Sequence, residues 1–306
     1  MIKHIYHCAD IHIRLYKRHD EYREQIQKFF DSVKQHMEDN ELTREEVRIA
    51  IVGDIVHSKN QMTPELINIV TWFFKGCCDM ADTIVILGNH DFLANNLDRM
   101  DALTPIIETM GDNRLKFLKH TGCYEDDNIV WCVYGHMEGS ERPNIEEARE
   151  QYGDKRYVGL YHDPLIGLKT NVGFEFEDGQ DISIFDGCDF VCCGDIHLYQ
   201  VMNYHGTPIV QPSSMVQQDF GESVDNHGYV VWNVETKEHK HINLESDYGF
   251  YTFKINSIED IEEEMEKNNI TLENGKISMV LNIGSEQITF YMAEEKPVKE
   301  WPSWSL

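Results

Sequence analysis

The chain has no Cys-x-x-Cys pair, no apolar run approaching the roughly 18 residues of a membrane span, and half as many basic as acidic residues. Each shortage excludes something. Without paired thiols a structural zinc site is not expected, and most of the eight cysteines (Cys8, Cys77, Cys78, Cys132, Cys192 and Cys193 among them) sit inside apolar segments rather than at disulfide spacings. The opening "MIKHIYHCADIH" has neither the apolar length nor the small-residue cleavage site of a signal peptide. An intracellular, cytoplasmic protein with no membrane association is therefore expected, in a host's cytoplasm if a virus encodes it. A net charge of −27 repels polyanions at long range, so any nucleic-acid binding needs a local remedy.

What is present is ample material for a core. At 306 residues and 41% hydrophobic content, one large domain plus a smaller one is expected. The short β-rich runs "IKHIYHC", "VRIAIV", "TIVIL", "IVWCVY", "YVGLY" and "DFVCC" alternate with segments of helical period, the pattern of an α/β domain with a sheet covered on both faces. In the first helical segment Tyr22, Ile26, Phe29, Phe30, Val33 and Met37 form one stripe. A second helix should open at Thr63, a good cap, followed by Pro64, whose missing N–H costs nothing in the first turn. From about residue 199 hairpin-like strands predict a second sheet packed on the first. The expected domains are 1–245, a small α+β unit at 246–293 with a helix opened by Ser257 and Asp260, and an extended tail at 294–306.

The polar residues are placed with a pattern. Asp10 and His12 follow the first strand, Gly53-Asp54 the second, Gly88-Asn89-His90-Asp91 the third, His162 follows "YVGLY" and Gly194-Asp195-Ile196-His197 follows "FVCC". Ligands bind beyond the carboxyl ends of strands in open α/β sheets, so one site can collect all five segments. Carboxylates, imidazoles and one carboxamide without thiolates suit a pair of divalent ions such as manganese, iron or zinc. Two ions roughly 3.5–4 Å apart can clamp a phosphate for in-line attack.

Those segments resemble, in order, the motifs of the calcineurin-like metallophosphoesterase superfamily. Within it "GDIVHSKNQMTPE" and "QPSSMVQQDFGE" resemble the Mre11/SbcD nuclease branch, including its phage recombination endonuclease subunits, where protein phosphatases instead carry Asp-Arg-Gly. The resemblance spans roughly residues 1 to 235. It implies a four-layer α/β/β/α sandwich with a small α+β capping domain. It also implies one metal on Asp10, His12, Asp54 and His197, and a second on Asp54, Asn89, His162 and Asp195, with Asp54 bridging. His90 would donate a proton or contact the phosphate, oriented by Asp91, and His57 would lie beside the scissile phosphate. Most of the superfamily carries His where this chain has Asp195. An anionic oxygen there should favour harder ions and raise the pKa of bound water, so a working site with two manganese ions, or magnesium as the alternative, is expected.

The implied activity is a metal-dependent DNA nuclease, a 3′–5′ duplex exonuclease and a single-strand or hairpin endonuclease in repair, recombination or end processing. Arg14, Lys17 and Arg18 in "RLYKRH" are the candidate phosphate contacts at the rim of the site. The branch pairs with an ABC-type ATPase of the Rad50/SbcC/gp46 kind and often forms homodimers, here through the first two helices. Its usual ATPase-binding helices lie beyond the capping unit, whereas this chain has only one acidic helix after Asn256 and stops at Leu306, so either that segment is trimmed or the partner binds differently. The competing readings are another metallophosphoesterase activity, on a small phosphodiester or phosphoprotein, and a non-catalytic scaffold for DNA ends or the ATPase.

Overall fold

The computed structural model describes residues 1–59, 61–257, 260–271, 275–283 and 286–292. The expected tail at 294–306 lies outside them. The described residues form two units: 1–218 with 225–245, and a smaller one formed by 219–224 with the chain from Ser246 onward.

In the larger unit, β1 (His4–Cys8), β2 (Val47–Val52), β3 (Asp82–Ile86) and β4 (Leu115–Phe117) run parallel in one sheet. A second sheet holds β5 (Gly122–Asp126), β6 (Ile129–Tyr134), β7 (Arg156–His162), β8 (Phe190–Gly194), β9 (Gln200–Tyr204) and β10 (Thr207–Gln211), in the order β5-β6-β7-β8-β10-β9. The hairpin β11 (Gly228–Asn233) and β12 (His239–Asn243) returns to the first sheet, with β11 antiparallel to β1.

This corrects two expectations. The six apolar runs do not share one sheet but divide three and three. The two hairpins after residue 199 do not make a sheet together; each extends a different one. Strands buried on both faces carry no mark of which sheet they join, because alternation is lost when both sides are apolar.

Three packed layers of side chains separate the four layers of structure. On β1, Tyr6 and Cys8 face α1 (His19–Asp39) and α2 (Pro64–Met80), while Ile5, and Ala9 just past the strand's end, face the second sheet. On β6, Ile129, Trp131 and Val133 face the first sheet, and Val130, Cys132 and Tyr134 face outward toward Ile145 and Ala148 of α3 (Ile145–Tyr152). Phe190 of β8 stacks on Trp232 of β11 across the middle, ring centroids 4.5 Å apart. The architecture is α/β/β/α. The stripe expected on α1 is buried from Tyr22 to Val33, with Met37 partly covered. At the start of α2, Thr63 Oγ1 accepts the N–H of Leu66, as its cap role requires.

In the smaller unit β13 (Gly249–Ile255) pairs in parallel with β14 (Gly275–Ile283), which pairs antiparallel with β15 (Glu286–Met292). The helix α4 (Asp260–Lys267) opens with Ser257 Oγ donating to Asp260 Oδ1 at 3.1 Å. Ile255, Ile270 and Ile277 form its small core.

Candidate metal centre

Parallel strands that turn at the same edge bring their following residues together, and here β1, β2, β7 and β8 do so. The turns are forced. Asp10, His12, Asp54 and Asp195 all have positive φ, between 51° and 87°, which costs a residue with a Cβ about 1 kcal/mol or more. Four such residues in one cluster mark a backbone bent to aim side chains rather than to suit itself.

Asp10, Asp54 and His162 converge, as do Asp10, His12 and His197, each group offering ligand atoms close enough to hold one ion. His162 Nε2 lies 3.4 Å from Asp54 Oδ1 and 3.9 Å from Asp10 Oδ1. His12 Nε2 lies 3.4 Å from Asp54 Oδ2 and 3.0 Å from His197 Nε2. Asp54 thus faces His162 with one oxygen and His12 with the other. Asp195 receives the Asn89 amide at 2.7 Å, and its own N–H donates to both oxygens of Asp10 at 3.1 Å. That bond occupies Nδ2 of Asn89 and leaves its carbonyl oxygen as the ligand atom.

The tautomers show what this set suits. His162 Nδ1 sits 2.6 Å from the Val52 carbonyl oxygen, which can only accept, so Nδ1 carries the proton. In neutral His162 the remaining lone pair on Nε2 then points at two carboxylates, fully buried and without a hydrogen-bond partner. Lone pairs facing lone pairs at zero exposure need a cation or an added proton between them. The titration behaviour agrees. Burial would depress His162, but Asp54 and Asp10 hold it well above the usual imidazole range. Burial pushes Asp10 up to about 7, with Asp54 and Asp195 adding to it and His162 and His197 opposing. Asp54 is also buried, yet His162 and His12 pull it below the ordinary carboxylate value. These residues fit a divalent cation pair.

The expected catalytic residues surround this cluster with one correction. His90 and His57 stack with ring centroids 5.3 Å apart, and His90 lies 4.8 Å from the His12 ring. Asp91 does not orient His90. Its carboxylate is fully buried and accepts four backbone N–H groups, from Asp54 and Gly88 on Oδ2 and from Ile55 and Val56 on Oδ1. His90 is instead aimed by its own Nδ1, 2.8 Å from the His57 carbonyl, and its N–H donates to Asp54 Oδ1. Sequence adjacency hid this, because neighbours along a tight turn point to opposite sides.

Of the basic trio, Arg14 stands at the site, its Nη1 3.2 Å from His57 Nε2. A guanidinium only donates, so His57 presents a lone pair there, and burial together with Arg14 lowers His57 to about 4. Arg18 is withdrawn rather than at the rim: its side chain is 4% exposed, with Nε on Glu21 Oε2 at 2.6 Å and Nη2 reaching Glu21 and the Gln217 carbonyl. Lys17 is exposed.

Two features escaped the sequence reading. Of the glycines that precede these ligands only Gly53 has positive φ; at Gly88 a Cβ would overlap Asp54, and at Gly194 it would overlap His162 and the Val52 carbonyl. Their role is to clear room for ligands, which a glycine before an Asp or Asn signals weakly. His12, His57 and His90 also form a tri-imidazole group that could hold an ion.

A family model of calcineurin-like phosphoesterases matches residues 3–199. An uncharacterized protein of Acanthamoeba polyphaga mimivirus is 38% identical over 261 residues, 83% of this chain and 19% of that protein, so the chain spans about a fifth of that relative's length. Among solved structures, a novel archaeal phosphodiesterase aligns over 79% of this chain and 99% of its own at 12% identity and a TM-score of 0.39. The calcineurin-like phosphoesterase YfkN from Bacillus subtilis aligns over 79% and 88% at 16% identity and 0.40. A 5′-nucleotidase precursor from Thermus thermophilus aligns over 80% and 54% at 12% and 0.39.

Proposed function

Since the chain belongs to the calcineurin-like phosphoesterase family, we propose that it hydrolyses phosphodiesters with two divalent metal ions and that its substrate is DNA, in the manner of the Mre11/SbcD nucleases. The observation that carries the hydrolytic reading is the buried, unpartnered Nε2 of His162 set against Asp54 and Asp10. The DNA reading is supported by "GDIVHSKNQMTPE" and "QPSSMVQQDFGE" and by Arg14 beside His57.

Bound at Asp10, His12, Asp54, Asn89, His162, Asp195 and His197, the metal pair would neutralise phosphate charge and bring the pKa of attacking water toward about 7. The protein's own groups do the rest. The His57 carbonyl holds the Nδ1 proton of His90, so His90 can deliver a proton from Nε2 to the departing sugar oxygen only as an imidazolium. Arg14 contacts a phosphate oxygen while keeping His57 neutral. Asp195 fixes Asn89 by its amide, so the carboxylate holds a neighbouring ligand as well as serving as one. Manganese is the proposed ion, because the three carboxylates, one carboxamide and three imidazoles include no thiolate.

Digestion polarity, an ABC-type ATPase partner and a homodimer belong to the same proposal. The deciding experiment measures bound metal and the turnover of a DNA hairpin and of an aryl phosphodiester, for the parent and for His90→Ala. A parent that binds two metals and cleaves the hairpin, with His90→Ala slowed about 10²-fold or more and its metal content unchanged, fits the proposal. Turnover of the aryl ester alone favours the small-phosphodiester alternative, and metal-free inert protein favours a scaffold.

A further inference from the structure

We propose that the hairpin formed by residues 168–176 is a stacking platform on which Phe174, flanked by Val172, takes a nucleobase of the strand whose phosphate enters the metal centre; this rests on the nucleic-acid reading above.

The hairpin is pinned, not loose. Thr170 and Phe174 close its tip through a 2.8 Å N–H to carbonyl bond, Gly173 turns it with φ of +83°, and Phe176 N–H donates to the Leu168 carbonyl at 2.9 Å. Gln200 clasps Lys169 on both sides, accepting its N–H and donating to its carbonyl. Lys169 is paired with Glu175. Its inner aromatic, Phe176, packs on the outer core of the second sheet and meets Phe174 edge-on, centroids 5.3 Å apart.

A rigid hairpin with a seated inner ring does not need a second ring in water, yet Phe174 is 57% and Val172 75% exposed. Two large apolar groups within three residues, on a tip held by five backbone or side-chain ties, are an exposed patch with a purpose rather than scattered surface apolar residues. The tip is next to the site. Between those two residues and the loop's start, Asn171 donates through Nδ2 to the carbonyl of His197 at 3.4 Å.

Charge decides what sort of contact this is. The chain carries −27, Arg18 is held by Glu21 and Gln217, and Lys169 has Glu175 3.5 Å away, so the general field does not draw backbone phosphates to this loop. Affinity for a strand beyond the scissile phosphate must then come from a term that does not depend on charge. Stacking of a base on an aromatic face is such a term, and it tolerates every sequence.

The test compares binding of a short oligothymidylate with that of an abasic strand of equal length, in calcium buffer, by the full-length parent, Phe174→Ala and Phe174→Trp. Thermal melting first shows that the variants are folded. The parent should prefer the thymidine strand by about tenfold or more, Phe174→Ala should lose that preference, and Phe174→Trp should keep it with its indole emission quenched on binding. Equal binding of both strands by the parent, or a preference that survives Phe174→Ala, overturns the platform while leaving the nuclease reading intact; the latter is also the outcome if the patch serves a protein partner. Failure to bind either strand, with aryl phosphodiester still turned over in manganese, sinks the nuclease reading instead.

Discussion

Replacing Asp91 by Asn separates a structural carboxylate from a catalytic one. The side chain is fully buried, with Oδ2 accepting from Asp54 and Gly88 at 2.8 and 2.9 Å and Oδ1 accepting from Ile55 and Val56 at 3.0 and 3.1 Å. An amide keeps one oxygen and so at most two of those bonds, while its NH₂ is set against the two remaining donors. Each buried N–H left without an acceptor costs about 1–3 kcal/mol, so the variant should lose about 3 kcal/mol or more, and Ala, which satisfies none, should lose at least as much. Against a typical domain stability of about 5–15 kcal/mol that is a large fraction. For a unit of this size it corresponds to a melting point lower by roughly 6–12 °C. The measurement is thermal unfolding in chelator, so that metal binding cannot mask the loss, with amide exchange at Ile55 and Val56 as the local readout. If Asp91→Asn melts within a degree or two of the parent and those two amides exchange no faster, the turn is not built on this carboxylate. A residue that served only to aim His90 would give that outcome together with slowed turnover.

Further outcomes follow from the same geometry. Gly88→Ala places a methyl on Asp54 and should reduce metal content measured by elemental analysis, whereas Gly122→Ala, whose added methyl meets only ordinary contacts in β5, should leave it unchanged. Asp195→His removes the carboxylate that holds Asn89 and adds an imidazole, so competition binding should shift from manganese toward zinc; an unaltered preference would show that position 195 contributes no ligand. Burial works to raise Asp101, but the Lys119 ammonium at 2.6 Å and the Thr104 hydroxyl and N–H hold it below the ordinary value of 3.8. A folded-state pKa below the unfolded one stabilises above about pH 4 and is lost as pH falls through it. Asp101→Asn should therefore cost about 1–2 kcal/mol at neutral pH and flatten the acid limb of a urea stability profile, which a parallel pair of profiles would disprove. Arg14→Gln should lower the salt slope of DNA binding and Arg18→Gln should not, because the Arg18 side chain is spent within the fold.

The chain's polar residues betrayed the site better than its strands betrayed the sheets, and the reason is physical. A ligand must be a particular atom, so Asp10, His12, Asp54, His162 and His197 stand out wherever they follow an apolar run. The structure does bring all five within one cluster. A buried strand need only be apolar and β-branched, so "VRIAIV" and "IVWCVY" read alike although one pairs with β1 and the other with β5 and β7. Partner choice depends on contacts tens of residues away, such as Phe190 on Trp232, which no local window contains. Backbone sign was equally hidden. Nothing about Asp10 or Asp195 as residue types announces a left-handed φ, and only the close passage of Gly53, Gly88 and Gly194 past His162 and Asp54 explains why the chain must turn there. Asp91 and Arg18 depart from expectation for one reason: closeness along the chain to His90 or His12 does not decide where a side chain points. In a crowded turn a carboxylate goes to the densest set of unpaired donors. For Asp91 that set was four peptide N–H groups, from Gly88 and from residues 54–56, whose orientation aims Asp54 at both imidazoles.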